Sequence, residues 1–303
     1  MINFGNLGIK ALNAISHLPL SVHYFFSDVL LYPLVHYVVR YRVKVVRKNL
    51  QNSFPDKTDK ERREIENKFY HFFCDLAVEI IKVHSISPEE LKKRVEYVGI
   101  DKLDALYAKH DFVLCYLSHY CNWEWCIGLP LSLEGHGAGM CQIYHPMKNK
   151  LFDKWFLDNR SRFGAVNIPM KQTVRRLMML RNEMKQEGSE FRSYMFGCIA
   201  DQLPRVESTH HRIPFLNQDT GVFTGSEVLG QKFDMGFVYS KFSRPKRGYY
   251  RMEFIPMERP DASAIDLQSS SDFPMTDDYM RRFEQDILEQ PELWLWTHDR
   301  WKR

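Results

Sequence analysis

The chain has 303 residues, 44% of them apolar and 14% aromatic, and a formal charge of +4. Such a composition supports a sizeable core in one large or two small domains and excludes a disordered or low-complexity chain. The charge is unevenly placed: residues 1–50 hold Lys10, Arg40, Arg42, Lys44, Arg47 and Lys48 against Asp28 alone, so the basic excess is entirely N-terminal.

The same stretch is apolar and aromatic, from Ile15 through Tyr24, Phe25, Phe26, Leu30, Leu31 and Tyr32 to Val39. His17, Pro19, His23, Asp28, Pro33 and His36 interrupt it, which argues against a membrane span of ~20 predominantly apolar residues. A helical segment lying in the membrane interface fits better. Its apolar side chains would enter the headgroup boundary while Arg40 to Lys48 meet anionic lipid, each basic residue adding about 1 kcal/mol. A packed helical hairpin with a solvated basic face is the alternative. No secretory signal is evident, so the protein is expected on the cytoplasmic side. The six cysteines, at 74, 115, 121, 126, 141 and 198, show no C-x-x-C pair or metal-ligand spacing and read as buried reduced thiols.

Asn49 to Pro55 is turn-like, and Thr58 with Glu61 three residues later forms a capping box that predicts a helix start. Ile65, Phe69, Phe72, Phe73, Leu76 and Ile80 continue at helical spacing to about Val83. Strands are then predicted near 112–117, 138–144, 193–200, 235–242 and 249–255. Helices are predicted from about Trp123, over 151–162 and 173–185, and near 276–288. The alternation argues for an α/β fold with a mainly parallel central sheet flanked by helices. The polar stretch 261–275 reads as a surface loop. Residues 1–50 form a membrane-associating segment and 51–303 a catalytic domain in the simplest partition.

Several common chemistries have no motif here: there is no G-x-S-x-G elbow, no P-loop and no H-E-x-x-H pair. Gly135-His136-Gly137-Ala138-Gly139 begins like a dinucleotide loop, but Met140 stands where the third glycine belongs. His210-His211 lacks further ligands at metal spacing and reads as a solvated pair. The informative segment follows the run Phe112 to Leu117: His119-Tyr120-Cys121-Asn122-Trp123-Glu124. His119 falls just past a strand end, where open α/β sheets usually site their chemistry. Imidazole takes a proton near neutral pH, and a carboxylate fixes its tautomer, so His119 is the candidate base and Glu124 the candidate orienter. One His and one Glu at this spacing also arise by chance.

Taken in order, the blocks resemble the lipid A late acyltransferases, the lauroyl/myristoyl transferase family of Gram-negative envelopes. Ser118 to Glu124 resembles the family's G-H-x-G-N-W-E with both glycines replaced. Tyr41-Arg42 and Asn49-Leu50 through Ser53-Phe54-Pro55 match its Y-R and N-L-x-x-S-F-P. Tyr144-His145-Pro146-Met147-Lys148-Asn149 resembles Y-R-P-x-K-N, Ala200-Asp201-Gln202 matches A-D-Q, and Pro291 to His298 matches P-E-x-W-L-W-x-H.

The resemblance implies a glycerolipid-acyltransferase-like fold and a membrane lipid acceptor. An acyl chain would pass from a thioester of acyl carrier protein or coenzyme A to a hydroxyl of a lipid A precursor, at the cytoplasmic face of the inner membrane. His119 would remove the hydroxyl proton and Glu124 would hold the ring, a contribution of about 10²–10⁴-fold. Asn122, His145, Arg160, Arg162, Asp201 and Gln202 become candidate substrate-binding residues. His145 stands where the family usually has arginine, which leaves the oxyanion donor open, with Arg160 or Arg162 as substitutes. Asp201 and Gln202 would orient the motif or the acceptor headgroup, or form a structural turn. No metal, no cofactor beyond the acyl thioester co-substrate and no nucleic-acid partner is implied.

A dodecanoyl tail at ~0.8 kcal/mol per buried methylene is worth roughly 8–9 kcal/mol gross, so an apolar groove is required. The aromatics at 69, 72, 73, 123, 125, 155 and 156 are candidates to line it. An acidic carrier protein would meet Arg175/Arg176 or the Arg40 to Lys48 cluster. A lysophospholipid or aminolipid acceptor, or a catalytically silent lipid-binding protein, are the competing readings.

Overall fold

The computed structural model describes residues 4–204, 209–258 and 272–302. The run Phe112–Leu117 is a strand buried along its whole length, as a continuous apolar run requires when both sheet faces are covered. The strands are β1 (Val95–Val98), β2 (Phe112–Leu117), β3 (Ala138–Tyr144), β4 (Val166–Pro169), β5 (Ser193–Ile199), β6 (Arg212–Phe215), β7 (Gln218–Gly221), β8 (Gly236–Lys246) and β9 (Tyr249–Met257). Among the described residues seven of them form one sheet in the order β1-β9-β8-β2-β5-β3-β4, and β6 and β7 form a hairpin. The block β8-β2-β5-β3-β4 is parallel. Only the β8/β9 pairing is antiparallel within the sheet.

The chain's helices are α1 (Phe4–Ser16), α2 (Leu20–Phe26), α3 (Val43–Ser53), α4 (Asp59–Lys82), α5 (Pro88–Arg94), α6 (Ile100–Tyr107), α7 (Lys150–Arg160), α8 (Thr173–Met184), α9 (Gly225–Lys232) and α10 (Pro274–Glu289). The segment after β2 is a 3-10 helix, Trp123–Ser132, rather than the α-helix expected there. From β2 to β3 and from β3 to β4 the chain steps one way across the sheet, and from β4 to β5 and β5 to β8 it steps back. Right-handed crossovers therefore put the 3-10 helix and α7 on one face, and α8 and α9 on the other. Side-chain bonds agree: Arg160 of α7 reaches Glu124, and Arg181 of α8 reaches the Phe233 carbonyl behind α9.

The capping box forms as predicted, with Thr58 and Glu61 bonding each other's backbone N–H, and α4 buries Ile65, Phe69, Phe72 and Leu76. The strands β1 and β4 escape a sequence reading because four-residue segments of mixed burial carry no clear alternation. Residues 261–271 of the expected 261–275 loop lie outside the described residues, and Pro274 and Met275 already belong to α10.

The N-terminal part runs through α1 and α2 into π-helical turns at Ser27–Leu31 and Pro33–Val38. No single described helix is long and apolar enough to cross a membrane; Gly5–Ser16 and Leu20–Val38, bent by 120°, meet that test together. Two of the histidines that interrupt this apolar stretch lie on its inward side, while His17 is exposed. His23, Ser27 and His36 are buried, while Phe25, Val29, Leu30, Val38 and Val39 are exposed. His36 Nε2 lies 2.9 Å from Glu66, and Ser27 donates to Asp75 at 2.9 Å. In the basic cluster Arg47 pairs with Glu66 and Arg42 donates to the Thr297 carbonyl.

Arg247 pins this part to the sheet, with Nη1 on Asp28 at 2.7 Å, Nε on buried Asp75 at 2.9 Å, and its guanidinium over the Tyr24 ring. Replacing Arg247 by alanine leaves Asp75 to Ser27 and Arg244 and should cost about 1–3 kcal/mol. Limited proteolysis should then open the link between α1 and α2 faster than in the wild type; unchanged cleavage there would show that apolar packing alone holds the segment.

Candidate active site

The sheet's direction of winding reverses between β2 and β5, so their C-terminal ends flank the crevice in which open α/β sheets bind ligands. The register pairs Leu117 with Ile199. Two residues beyond each partner stand His119 and Asp201, and His119 Nδ1 lies 2.8 Å from Asp201 Oδ1. An ionised carboxylate only accepts, so Nδ1 carries the proton and Nε2 keeps its lone pair in the neutral ring. Gln202 Nε2 approaches that lone pair at 3.4 Å. The ring meets Trp123 edge to face, with centroids 5.0 Å apart, and stays partly open to solvent.

Asp201 is 2% exposed. Burial by itself would push its carboxyl up, but the charge and hydrogen bond of His119, with the Trp294 indole N–H at 2.9 Å from Oδ2, outweigh that and hold it at about 2. The orienter of His119 is therefore Asp201. Glu124, expected in that role, turns away along the 3-10 helix into a two-pronged pair with Arg160, whose Nε lies 2.9 Å from Oε2. Burial opposes the charge on Arg160, and the pairing with Glu124 raises its pKa in spite of it.

The other expected substrate contacts divide sharply. Asn122 is 1% exposed; its amide donates to Glu79 at 2.7 Å and its oxygen caps the Trp125 N–H. It shapes the motif and faces no solvent. Arg162 bonds the carbonyls of Val83 and Ile86, a structural role between α4 and α7. His145 is exposed beyond β3 and bonds its neighbour's carbonyl, on Pro146, at 3.0 Å. Of the aromatics expected along a groove, Phe69, Phe72 and Trp125 are core. Trp123 alone lines the cavity of about 50 Å³ that opens beside Glu124 and Arg160, together with Leu117, Met140 and Ile199.

Cys121 has φ +58°, the left-handed region where a side chain is strained by about 1–2 kcal/mol. The turn lets the chain reverse after β2, and it explains why a glycine suits this position. The thiol is fully buried and its pKa is pushed well up by burial, so it is no nucleophile.

The remaining sequence blocks converge here. The Cys121 N–H donates to the Leu293 carbonyl at 2.9 Å, and the Leu295 N–H to the His119 carbonyl at 3.1 Å. Asn49 in turn holds the carbonyls of Trp296 and His298, at 3.0 and 2.9 Å. In sequence the block Pro291 to His298 stands out only as a pattern; the fold gives Trp294 its part, as the second donor to Asp201.

The profile of bacterial lipid A biosynthesis acyltransferases matches residues 2–303. The chain belongs to that family. Its similarity to individual members is low. It is 26% identical over 118 residues to the lipid A biosynthesis acyltransferase of Haemophilus influenzae, a match covering 39% of this chain and 36% of the relative. It is 26% identical over 144 residues to lipid A biosynthesis acyltransferase 2 of Shigella flexneri, covering 46% and 45%. The chain thus matches less than half the length of either curated relative.

In this family member Asp201→Asn should keep the shape of the site while removing the charge that fixes the ring, and kcat should fall by about 10²–10⁴-fold with KM little changed. A loss below tenfold in steady-state assays would remove Asp201 from the machinery. Stability gives an independent reading. The Asp201 carboxyl ionises at about 2 in the fold against 3.8 ordinarily, so its contribution of about 2 kcal/mol is complete above pH 4 and fades as the pH falls through 2. Denaturation curves of wild type and Asp201→Asn should converge over that window.

Cys121→Ala should keep its activity and its resistance to thiol-alkylating reagents. Inactivation of a folded Cys121→Ala protein would reopen a thiol mechanism.

Proposed function

We propose that this protein transfers a fatty acyl chain from an acyl carrier protein thioester to a hydroxyl of a lipid A precursor, at the cytoplasmic surface of the inner membrane. The observation that carries the reading is the His119–Asp201 pair at the crevice between β2 and β5, in a chain whose family profile covers nearly its whole length. The exposed apolar face of the N-terminal helices, with Arg40, Lys44 and Lys48 exposed beside it, suits a protein that works on a lipid surface.

His119 Nε2 takes the proton from the acceptor hydroxyl as its oxygen attacks the thioester carbonyl. Asp201 holds the Nδ1–H and stabilises the imidazolium that forms. When the tetrahedral intermediate collapses, the carbon–sulfur bond breaks and the imidazolium returns its proton to the leaving thiolate. The product is an ester and a free thiol, with His119 neutral again. Gln202 Nε2, 3.4 Å from His119 Nε2, serves as an oxyanion donor, a function worth about 2.7–4 kcal/mol. Arg160 gives Nε and Nη2 to Glu124, which holds its guanidinium beside the cleft with its charge balanced by the carboxylate.

The cavity beside Trp123 is about 50 Å³, a few water-sized positions. It admits only the first methylenes of a chain, so most of the tail lies outside it.

The test is a purified-enzyme assay with defined acyl carrier protein thioesters and a tetra-acylated lipid A precursor, read by mass spectrometry. One added acyl ester per precursor is expected, and a drop of about 10²-fold or more for His119→Ala. Acylation of lysophospholipid in place of the precursor, or undiminished transfer by a folded His119→Ala protein, would overturn the reading.

A further inference from the structure

The exposed face of α8 is unlike the rest of the sheet-packed surface. Past residue 41, the large apolar side chains exposed among the described residues are Met147, Leu151, Met170, Val174, Met178, Met179, Val228 and Leu288. Half of these lie on α8 and the short turn before it. Met170, Val174 and Met178 recur four residues apart, and so do Lys171, Arg175 and Met179, giving an apolar row beside a basic one. Neither Lys171 nor Arg175 has an ion-pair partner among the described residues, and both are exposed. The cations with partners on this helix point elsewhere: Arg176 to Glu183, and Arg181 to Asp111. Exposed methionines beside arginine and lysine suit a protein interface, since methionine adapts to the surface it meets.

Position narrows the occupant. The face begins directly after β4, on the same sheet edge as His119 and three strand spacings from β2, or about 14 Å. It lies on the sheet face opposite α7, and α7 is the helix against which α1 packs, through Trp155 Nε1 on Asn13 at 2.7 Å. The apolar N-terminal helices and this patch therefore look out from different sides of the crevice. A lipid surface engaged by the first leaves the second free for a soluble partner of opposite charge.

We propose that the face Met170, Lys171, Val174, Arg175 and Met178 docks the acidic protein domain of the acyl donor, so that its tethered thioester enters the crevice from the α8 side while the lipid acceptor enters from the side of the N-terminal helices. The inference rests on the carrier-protein donor proposed above. It goes further in assigning the surface and in giving the two substrates separate approaches.

The experiment compares two donors with the same acyl chain, the carrier protein thioester and the simple pantetheine thioester, on wild type and on Lys171→Glu/Arg175→Glu. Both substitutions are exposed and put carboxylates at a helix N-terminus, where they do not oppose folding. KM for the carrier donor should rise about tenfold or more at low salt with kcat unchanged, the difference should shrink as salt is added, and the pantetheine donor should be unaffected. Met178→Asp should repeat the effect with less salt dependence. An unchanged carrier KM, or an equal loss on both donors, overturns the docking site. A wild type that uses pantetheine but not carrier thioesters overturns the donor reading itself.

Titration of holo acyl carrier protein against both proteins probes the same contact without turnover, with weakened binding expected for the variant and equal binding counting against the site. Loss of flotation with phosphatidylglycerol vesicles in the double variant would assign the face to lipid and refute the proposal.

Discussion

A carboxylate taken out of water costs several kcal/mol unless donors replace the solvent around it, and of the acids buried among the described residues three, Asp75, Glu79 and Asp201, join distant parts of the chain. The donors come from far apart in sequence. Asp75 takes Ser27, Arg244 and Arg247; Glu79 takes Tyr24, Asn122 and Tyr250; Asp201 takes His119 and Trp294. Each acid thus fixes a junction: the N-terminal helices to the sheet, the N-terminal helices to the motif, and the motif to the C-terminal block. Apolar burial would tolerate slippage at these junctions, whereas a buried charge without its donors does not.

Glu79 shows how far such a constraint reaches. It sits on α4 with no exposure, and burial pushes its carboxyl up while the Tyr250 and Tyr24 hydroxyls oppose the shift. One carboxyl oxygen takes Tyr24, from the helix that presents the apolar face, and the other takes Asn122 from the turn after His119. A displacement of α2 has a short, hydrogen-bonded path to the turn that carries His119. The same carboxylate lets Asn122 cap the 3-10 helix, which aims Glu124 at α7.

Much of this was legible in the sequence, for identifiable reasons. The strand before His119 is a run of six apolar residues, the capping box at Thr58 is a local bond, and the longer strands and helices carry their own periodicity. The partner of His119 was not legible in local spacing, although the family resemblance already offered Asp201 as a residue that orients the motif. Glu124 is five residues away along the chain, but the left-handed turn at Cys121 and the tight 3-10 helix carry it off to Arg160. Asp201 is 82 residues away in sequence and arrives through the register of β2 on β5, which no local pattern encodes. The hairpin of β6 and β7 hid for a related reason: its turn places Leu216 and Asn217 at positive φ, and leucine is not a residue that announces such a turn.

The geometry gives Glu124 a different task from the one its spacing suggested. The family resemblance puts an arginine at position 145, and here that position is an exposed histidine engaged with the carbonyl of Pro146. The cation left in the cleft is Arg160, a long side chain at the end of α7 whose burial alone would depress its charge. A bidentate carboxylate is the group best suited to hold a guanidinium in one orientation, and Glu124, 8% exposed on its side chain, supplies it. Asp201 then holds His119 and Glu124 holds Arg160. Trp123 stands between the two arrangements in sequence and touches both, its ring meeting His119 edge to face and lining the cavity beside Glu124 and Arg160. The His119–Asp201 pair and the Arg160 guanidinium thus stand on separate supports, so that a histidine at 145 leaves the first untouched while the second depends on the Glu124–Arg160 pair.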